Sequence, residues 1–309
     1  HRDLHSFPTR RSSDLCLQRT HFPDYFRSND IAKVANEALS ERKLVNRKFA
    51  DPARPRALAV SQDRSFHLTV NSEDHIRMYC TLPGADVRRA WEGLDELDDE
   101  LAGMLDLAFD VILGFLTSSL KSAGTGLRVS VLLHLPALTM VDHIPQATRA
   151  LAEADHLLSP FLGRGRLDPA LGAMFVVYNR RSIGSTEAEF VADLESVIPM
   201  LINYEKKARK MASKESWRLF VSDLTGRALG NLKNAELLEY EEAVGLLSKL
   251  RLGAQIGKLP ESLGNGLLDL LFELQDSTIR LRNGEELDET TVCNLRSKAV
   301  KQWLEAKGV

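Results

Sequence analysis

Apolar and polar positions alternate with period two from Ser65 to Asn71, where Phe66, Leu68 and Val70 share one side and His67 and Thr69 the other. The alternation recurs from Ile76 to Leu82, with Ile76, Met78, Cys80 and Leu82 on the apolar side. Two such runs joined by a short polar link predict an antiparallel hairpin. Then the period lengthens. Trp91, Leu94, Leu101, Met104, Leu105 and Phe109 fall at helical spacing and predict one long amphipathic helix from Asp86 to Phe115. The run from Val129 to Leu135 predicts a strand that Pro136 stops, and the run from Ala173 to Tyr178 predicts another. Thr186 and Glu189 make a T-x-x-E capping box ahead of a helix through Phe190, Leu194, Val197 and Leu201. Pro199 is expected to kink that helix or mark its end.

From Glu205 to Val309 the pattern is almost wholly helical, with breaks expected at Gly226, Gly230, Lys258 to Pro260 and Asn283 to Gly284. The predicted fold class is α+β. A domain of mixed strands and helices occupies residues 16–205, and an all-α domain occupies 206–309.

The chain has 309 residues, enough for two cores. Its 44% hydrophobic and 27% charged content is ordinary for a globular protein in water. The net charge of −3 gives no electrostatic reason to expect nucleic acid or an acidic membrane as partner. No apolar run approaches the roughly 20 residues that span a bilayer. Cys16, Cys80 and Cys293 are far apart and form no C-x-x-C pair, which argues against a disulfide framework or a structural zinc site and for a reducing cytoplasm. The opening residues differ in kind. His5 to Leu15, HSFPTRRSSDL, is the translation of a common sequencing-library adapter. Residues 1–15 are therefore expected to be an assembly artefact, with the natural N-terminus lost.

Two blocks carry candidate chemistry. VNSEDHIRM (Val70 to Met78) sets Glu73 and Arg77 four residues apart across the predicted turn. Arg77 shares strand parity with Glu73, His75 and Tyr79, so its side chain is expected to point away from the apolar face. TSSLKSAGTGLRVS (Thr117 to Ser130) sets a Gly-Thr-Gly turn at Gly124 to Gly126 just before Arg128. Glycine there allows a close backbone approach, and Arg128 shares parity with Ser130 and His134. By itself, a Glu-Asp-His turn is most often a solvated hairpin tip, and a strand arginine most often a salt-bridge residue.

The linear order of blocks adds to this. NSEDHIR, then GFLTSSLKSAGTGLRVSVLLHLPAL, then SIGSTEAEFVADLESVI closely resemble consecutive segments of bacterial protein-arginine kinases. Those enzymes share the ATP:guanido phosphotransferase catalytic domain with creatine and arginine kinases. The segment EAVGLLSKLRLGAQIGKL (Glu242 to Leu259) resembles their extra C-terminal dimerisation domain.

The resemblance implies an antiparallel sheet flanked by helices for residues 16–205, Mg2+ and ATP as cofactors, protein substrates, and a homodimer through the helical tail. It implies that Glu73 orients the substrate guanidinium, and that Arg77 and Arg128 hold ATP phosphates. Arg19, in LQRT, matches the last arginine of the family's SSRIRLARN block, and Cys16 falls where the arginine before it would be. Ser119 takes the place of the cysteine in the family's TSCPTN loop, with Leu120 instead of proline. The family's RGxYGEGS loop supplies a phosphate-binding arginine and a second acid. Without a gap these positions are Phe161 and Arg166; with a short gap they are Arg164 and Asp168. A histidine of the family's VEKHL segment is Lys48 here. The Arg-Asp pair of the family's phosphoarginine pocket is not recognisable near Thr290 and Thr291.

Three functions are compatible with this pattern. The chain is an active kinase of protein arginine; or a degenerate homologue that keeps the fold and acts through regulatory protein partners; or a helical oligomer without a nucleotide site. Phosphoryl transfer needs the nucleophile held in line and the phosphate charge neutralised. Glu73, Arg77 and Arg128 suit the first reading, whereas Ser119, Phe161 and Arg166 suit the second.

Overall fold

The structure is a computed structural model that describes residues 22–46, 48–49, 51, 54–119, 122–162 and 170–309. The chain forms two compact units. The described residues up to Ser130 join Asn179–Ser196 in one, and Val131–Tyr178 joins Val197–Val309 in the other.

In the first unit, β1 (Asp24–Arg27), β2 (Ala57–Val60), β3 (Phe66–Val70) and β4 (Ile76–Cys80) form an antiparallel sheet in that order. The predicted hairpin is present, with Phe66 opposite Cys80 and Val70 opposite Ile76. Asn71, at φ 54°, closes its turn by donating its N–H to the His75 carbonyl at 2.8 Å. On one face Ala57, Ala59, Leu68 and Val70 pack with Phe66, Ile76 and Met78 against Leu97, Leu101 and Leu105. Leu58 points the other way, onto Val45 and Phe49. His67 and Thr69 are buried too, so β3 is covered on both sides. His67 stacks flat on Tyr79, ring centroids 4.2 Å apart.

The helix expected from Asp86 to Phe115 is shorter. It spans Val87–Ala102, with the Asp86 carboxylate accepting from the Arg89 N–H at 3.2 Å as N-cap. Beyond Gly103 the chain turns into a two-stranded hairpin of β5 (Phe109–Asp110) and β6 (Gly114–Phe115). Leu105 still reaches the core, which is why the helical period seemed to continue. Past Gly103, local chemistry shapes a hairpin instead. The Asp110 carboxylate accepts from the N–H groups of Ile112 and Leu113 at 2.8 and 2.9 Å, a bond pattern that competes with helix. Gly114 sits at φ 74°, and a Cβ there would meet the Gly124 carbonyl oxygen at 2.4 Å.

The capping box forms as expected. Thr186 N–H donates to Glu189 Oε2 at 2.8 Å, and Glu189 N–H to Thr186 Oγ1 at 3.3 Å. Its helix runs through Pro199 to Ala212 and does not end at the proline. Val191, Leu194, Val197, Ile198 and Leu201 are all buried. Their burial outweighs the roughly 3 kcal/mol cost of an interior proline.

A three-stranded sheet of β7 (Ser130–His134), β8 (His156–Pro160) and β9 (Met174–Asn179), with β9 central, belongs to the second unit except for its end residues Ser130 and Asn179. Pro136 opens the helix Pro136–Met140 at its first position, where its missing N–H costs nothing. Helices Glu215–Asn234, Tyr240–Gln255, Leu267–Glu273, Asp276–Asn283 and Glu289–Ala306 follow. Their core gathers Leu232, Leu238, Val244, Leu247, Leu271 and Val300. Gly226 and Gly230 do not break the first of these helices. Each costs only about 1 kcal/mol relative to alanine, less than packing supplies. The breaks expected at Lys258 to Pro260 and at Asn283 to Gly284 are present.

Candidate active site

The turn between β3 and β4 presents three charged groups that meet. Arg77 lies on β4 opposite Thr69, on the side of the sheet away from Leu68 and Met78, as strand parity predicts. Its guanidinium forks. Nη1 donates to Glu73 Oε2 at 2.7 Å and Nη2 to Asp74 Oδ2 at 3.0 Å. The Glu73 side chain is 60% exposed, Arg77 30% and Asp74 12%. One carboxylate is thus open to solvent and its neighbour is held.

Asp74 is held by the Thr117–Ser119 loop. Its Oδ1 accepts from the Ser118 N–H at 2.8 Å, and the Ser118 hydroxyl lies 2.8 Å from the same oxygen and 2.7 Å from the Glu73 carbonyl. Burial by itself would raise the Asp74 pKa. The hydroxyl and N–H of Ser118, with the charge of Arg77, outweigh it and leave the carboxyl below its ordinary range. Burial likewise works to lower Arg77, but Tyr79 and Glu73 hold its pKa above the usual guanidinium value. Asp74 and Arg77 therefore both stay charged at neutral pH. Ser119 follows directly. Its carbonyl accepts from Thr117 Oγ1 at 2.7 Å and from the Ser122 N–H at 2.9 Å.

On the other side of the turn, Asn46 Nδ2 donates to Ser72 Oγ at 2.9 Å. Asn46 Oδ1 accepts from the Lys48 N–H at 3.0 Å, so Lys48 stands two residues from a contact with the acid turn.

The Gly-Thr-Gly turn makes its close approach to the chain's own backbone. At Gly124, φ 96°, a Cβ would meet the Ser182 carbonyl oxygen at 2.4 Å. Gly124 also pairs with Phe115 through bonds of 2.8 and 3.3 Å. Arg128 is exposed, and its flanking residues are clamped by buried Asn179. Asn179 Oδ1 accepts from the Val129 N–H at 2.8 Å, and its Nδ2 donates to the Leu127 carbonyl at 3.0 Å. The Arg128 backbone is thereby fixed at an exposed position.

Direct bonds therefore bring together Glu73, Arg77 and the loop that carries Ser119. Arg128 is placed by the Asn179 clamp. Arg19 and Arg164 lie outside the described residues, as do Cys16, Arg166 and Asp168. Phe161 packs edge-on against Phe272, ring centroids 6.5 Å apart, within the helical core of the second unit. Sequence reasoning passed over Asp74, Ser118 and Asn179. Asp74 stood beside Glu73 as a second turn carboxylate. The partners of Ser118 and Asn179 are 44 to 52 residues away in the chain, and no local pattern reports them.

Comparisons with known proteins give one family. The family described as ATP:guanido phosphotransferase, C-terminal catalytic domain, matches residues 16–208. That described as protein-arginine kinase McsB C-terminal domain matches 206–308. The protein-arginine kinase of Symbiobacterium thermophilum is 32% identical over 86% of this chain and 74% of its own. That of Moorella thermoacetica is 35% identical over 84% and 73%, and that of Halalkalibacterium halodurans 32% over 95% and 80%. Among solved structures, the duplicated taurocyamine kinase of Schistosoma mansoni with bound transition state analog components aligns with TM-score 0.57 and 19% identity. A lombricine kinase aligns with TM-score 0.55 and 20% identity. The alignments cover 70% and 63% of this chain, but only 32% and 58% of those chains, and they bear on the fold alone.

Proposed function

Since the chain belongs to the ATP:guanido phosphotransferase family, we propose that it transfers a phosphoryl group from Mg-ATP to arginine side chains of proteins. The observation that carries this reading is the guanidinium of Arg77 seated on Glu73 and Asp74. The turn binds the functional group that the reaction uses as nucleophile, in the charge-assisted geometry that suits it.

Glu73, the exposed carboxylate, receives the substrate guanidinium, orients it in line and takes its proton as attack proceeds. A protonated guanidinium is a poor nucleophile, so this proton transfer is part of the barrier. Asp74, anchored by Ser118, keeps the turn in place. Arg77 leaves Glu73 for nucleotide phosphate, which frees the carboxylate for substrate. Arg128, fixed by Asn179, takes a second set of phosphate oxygens. Ser119 accepts or donates a hydrogen bond at the guanidinium where relatives of this family use cysteine. Arg19 and Arg164 supply further phosphate contacts.

Mg2+ prefers phosphate oxygens and water with few protein ligands. Among the described residues no group of three or more His, Cys, Asp or Glu forms a metal cage, and the arginine-lined site fits a cation carried in on the nucleotide. When bound, Mg2+ neutralises phosphate charge.

The catalytic part is residues 16–205, and residues 206–309 form a helical domain that pairs two copies. The protein works in the cytoplasm, where its scattered cysteines stay reduced.

The test is incubation of the full-length protein with Mg-ATP and an arginine-rich protein, reading acid-labile phosphate on arginine. Its complete absence rejects the kinase. Mg-ATP at 100 times its dissociation constant adds about 2.7 kcal/mol to stability if nucleotide binds. The second reading, a degenerate homologue serving as a regulatory or scaffolding protein, is favoured by Ser119 and by Phe161 packing in a core. It predicts no phosphoarginine, with or without a nucleotide-induced shift.

A further inference from the structure

The hairpin of β5 and β6 carries a run of exposed apolar side chains. Val111 is 93% exposed, Ile112 90% and Phe109 60%, with Leu113 and Leu116 about half exposed. Single exposed apolar residues are ordinary on a protein surface, but a contiguous group marks an interaction site.

This group is displayed on a fixed support. Asp110 accepts from the N–H groups of Ile112 and Leu113 and sets the tip. Phe109 and Phe115 meet edge to face at 5.3 Å, and the Leu116 N–H donates to the Ala108 carbonyl at 2.8 Å. Gly114 and Phe115 abut Gly124 of the Gly-Thr-Gly turn. The support also joins the acid turn, because Ser118, two residues beyond Leu116, bonds to Asp74 and lies against the Glu73 carbonyl.

We infer that this hairpin is a docking platform for apolar residues that flank the target arginine in a protein substrate. The inference rests on the kinase reading above. The occupant follows from continuity: the apolar tip and the guanidinium-binding carboxylates are tied to one loop, Leu116–Ser119. A chain that lays its arginine on Glu73 carries its neighbouring residues, about 3.3 Å apart when extended, over the base of the hairpin. A free guanidino compound has no such neighbours. The platform thus selects macromolecular substrate over small guanidines.

The test compares two arginine peptides of equal net charge, one flanked by Leu and Val and one by Gly and Ser. Wild-type protein and the double variant Val111→Ser, Ile112→Ser are assayed with both. Wild type is expected to show a KM lower by about tenfold for the apolar peptide. The double variant loses that preference through KM, with kcat, the KM for Mg-ATP and the melting temperature unchanged. Equal KM values in wild type, or a preference retained in the variant, overturn the inference. So does a fall in oligomeric state of the variant on gel filtration, which makes the tip a contact between copies. If wild type phosphorylates neither peptide, the kinase reading has failed on its own. Fluorescence anisotropy of the labelled apolar peptide then decides the platform: binding lost in the variant supports it, and no binding to wild type overturns it.

Discussion

Arg296 and Arg77 are both held by acids, and to different ends. Arg296, on the last helix, is 1% exposed. Its Nε donates to the Leu274 carbonyl at 2.7 Å, its Nη1 to the Leu238 carbonyl at 2.8 Å, and its Nη2 pairs with Asp276. Arg77 is bound by two carboxylates at the rim of a sheet, one of them mostly in solvent. Two backbone carbonyls fixed in separate segments cannot be traded for a ligand without unfolding them. A solvent-facing carboxylate can be traded at small cost, because water stabilises whichever partner is released. Burial of the partners, more than the number of bonds, separates a guanidinium that staples a core from one that can exchange at a site.

The sharpest way to break this contrast is Arg296→Ala. Removal leaves two buried carbonyls without donors, and the expected loss is about 3–5 kcal/mol of stability by urea denaturation. The protein that remains folded should transfer phosphate at an unchanged rate. A loss below 1 kcal/mol, or a fall in kcat at constant folded fraction, would undo the distinction.

The reverse is expected at the turn. Glu73→Gln keeps shape and removes the proposed base, and Arg77→Ala removes the proposed phosphate ligand. Each should lower kcat/KM about 10²–10³-fold, the usual effect of losing one electrostatic partner of a transition state. Stability should change by less than about 1 kcal/mol, since Glu73 faces solvent and Asp74 keeps its Ser118 bonds when Arg77 goes. A melting temperature that falls with activity in both variants would make Arg77 a second staple.

Arg128→Ala sharpens the comparison at intermediate size. The Asn179 clamp holds the backbone whatever the side chain, so folding should be unaffected. Stabilisation by saturating Mg-ATP should shrink by about 1.5–3 kcal/mol, the scale of one charge-assisted bond. An equal thermal shift in wild type and variant removes Arg128 from the nucleotide site.

The β3–β4 hairpin was legible because period-two alternation fixes both register and face, so the direction of Arg77 followed from parity alone. The hairpin at Phe109 was not. Leu105 continues a helical period into the core, but past Gly103 the Asp110 carboxylate takes the N–H groups of Ile112 and Leu113 and Gly114 presses on the Gly124 backbone, which makes a hairpin. Pro199, Gly226 and Gly230 misled in the opposite sense, since local penalties of 1–3 kcal/mol lose to packing that a local reading does not see. At the site, residue types showed that carboxylate and arginine were at hand. The loop that locks them, through Ser118 on Asp74 across 44 residues, is a tertiary fact.

That lock yields the smallest effect and a test of sign. Ser118→Ala removes the hydroxyl from Asp74 and from the Glu73 carbonyl but keeps the Ser118 N–H bond, so the expected loss at neutral pH is about 0.5–1.5 kcal/mol. Asp74 has a folded pKa below its ordinary value of 3.8, against the pull of burial. Its contribution is therefore complete above the unfolded value and disappears as pH falls through the depressed folded one. The variant raises the folded value and has less to lose. Urea denaturation stepped downward from neutral pH should show wild type and Ser118→Ala converging below 3.8, while Asp74→Asn shows no such convergence with its own Ser118→Ala double variant. A gap that stays constant into acid would assign the hydroxyl to the Glu73 carbonyl instead. The acid turn would then be held by its backbone, and Asp74 would be as free as Glu73 to meet an incoming guanidinium.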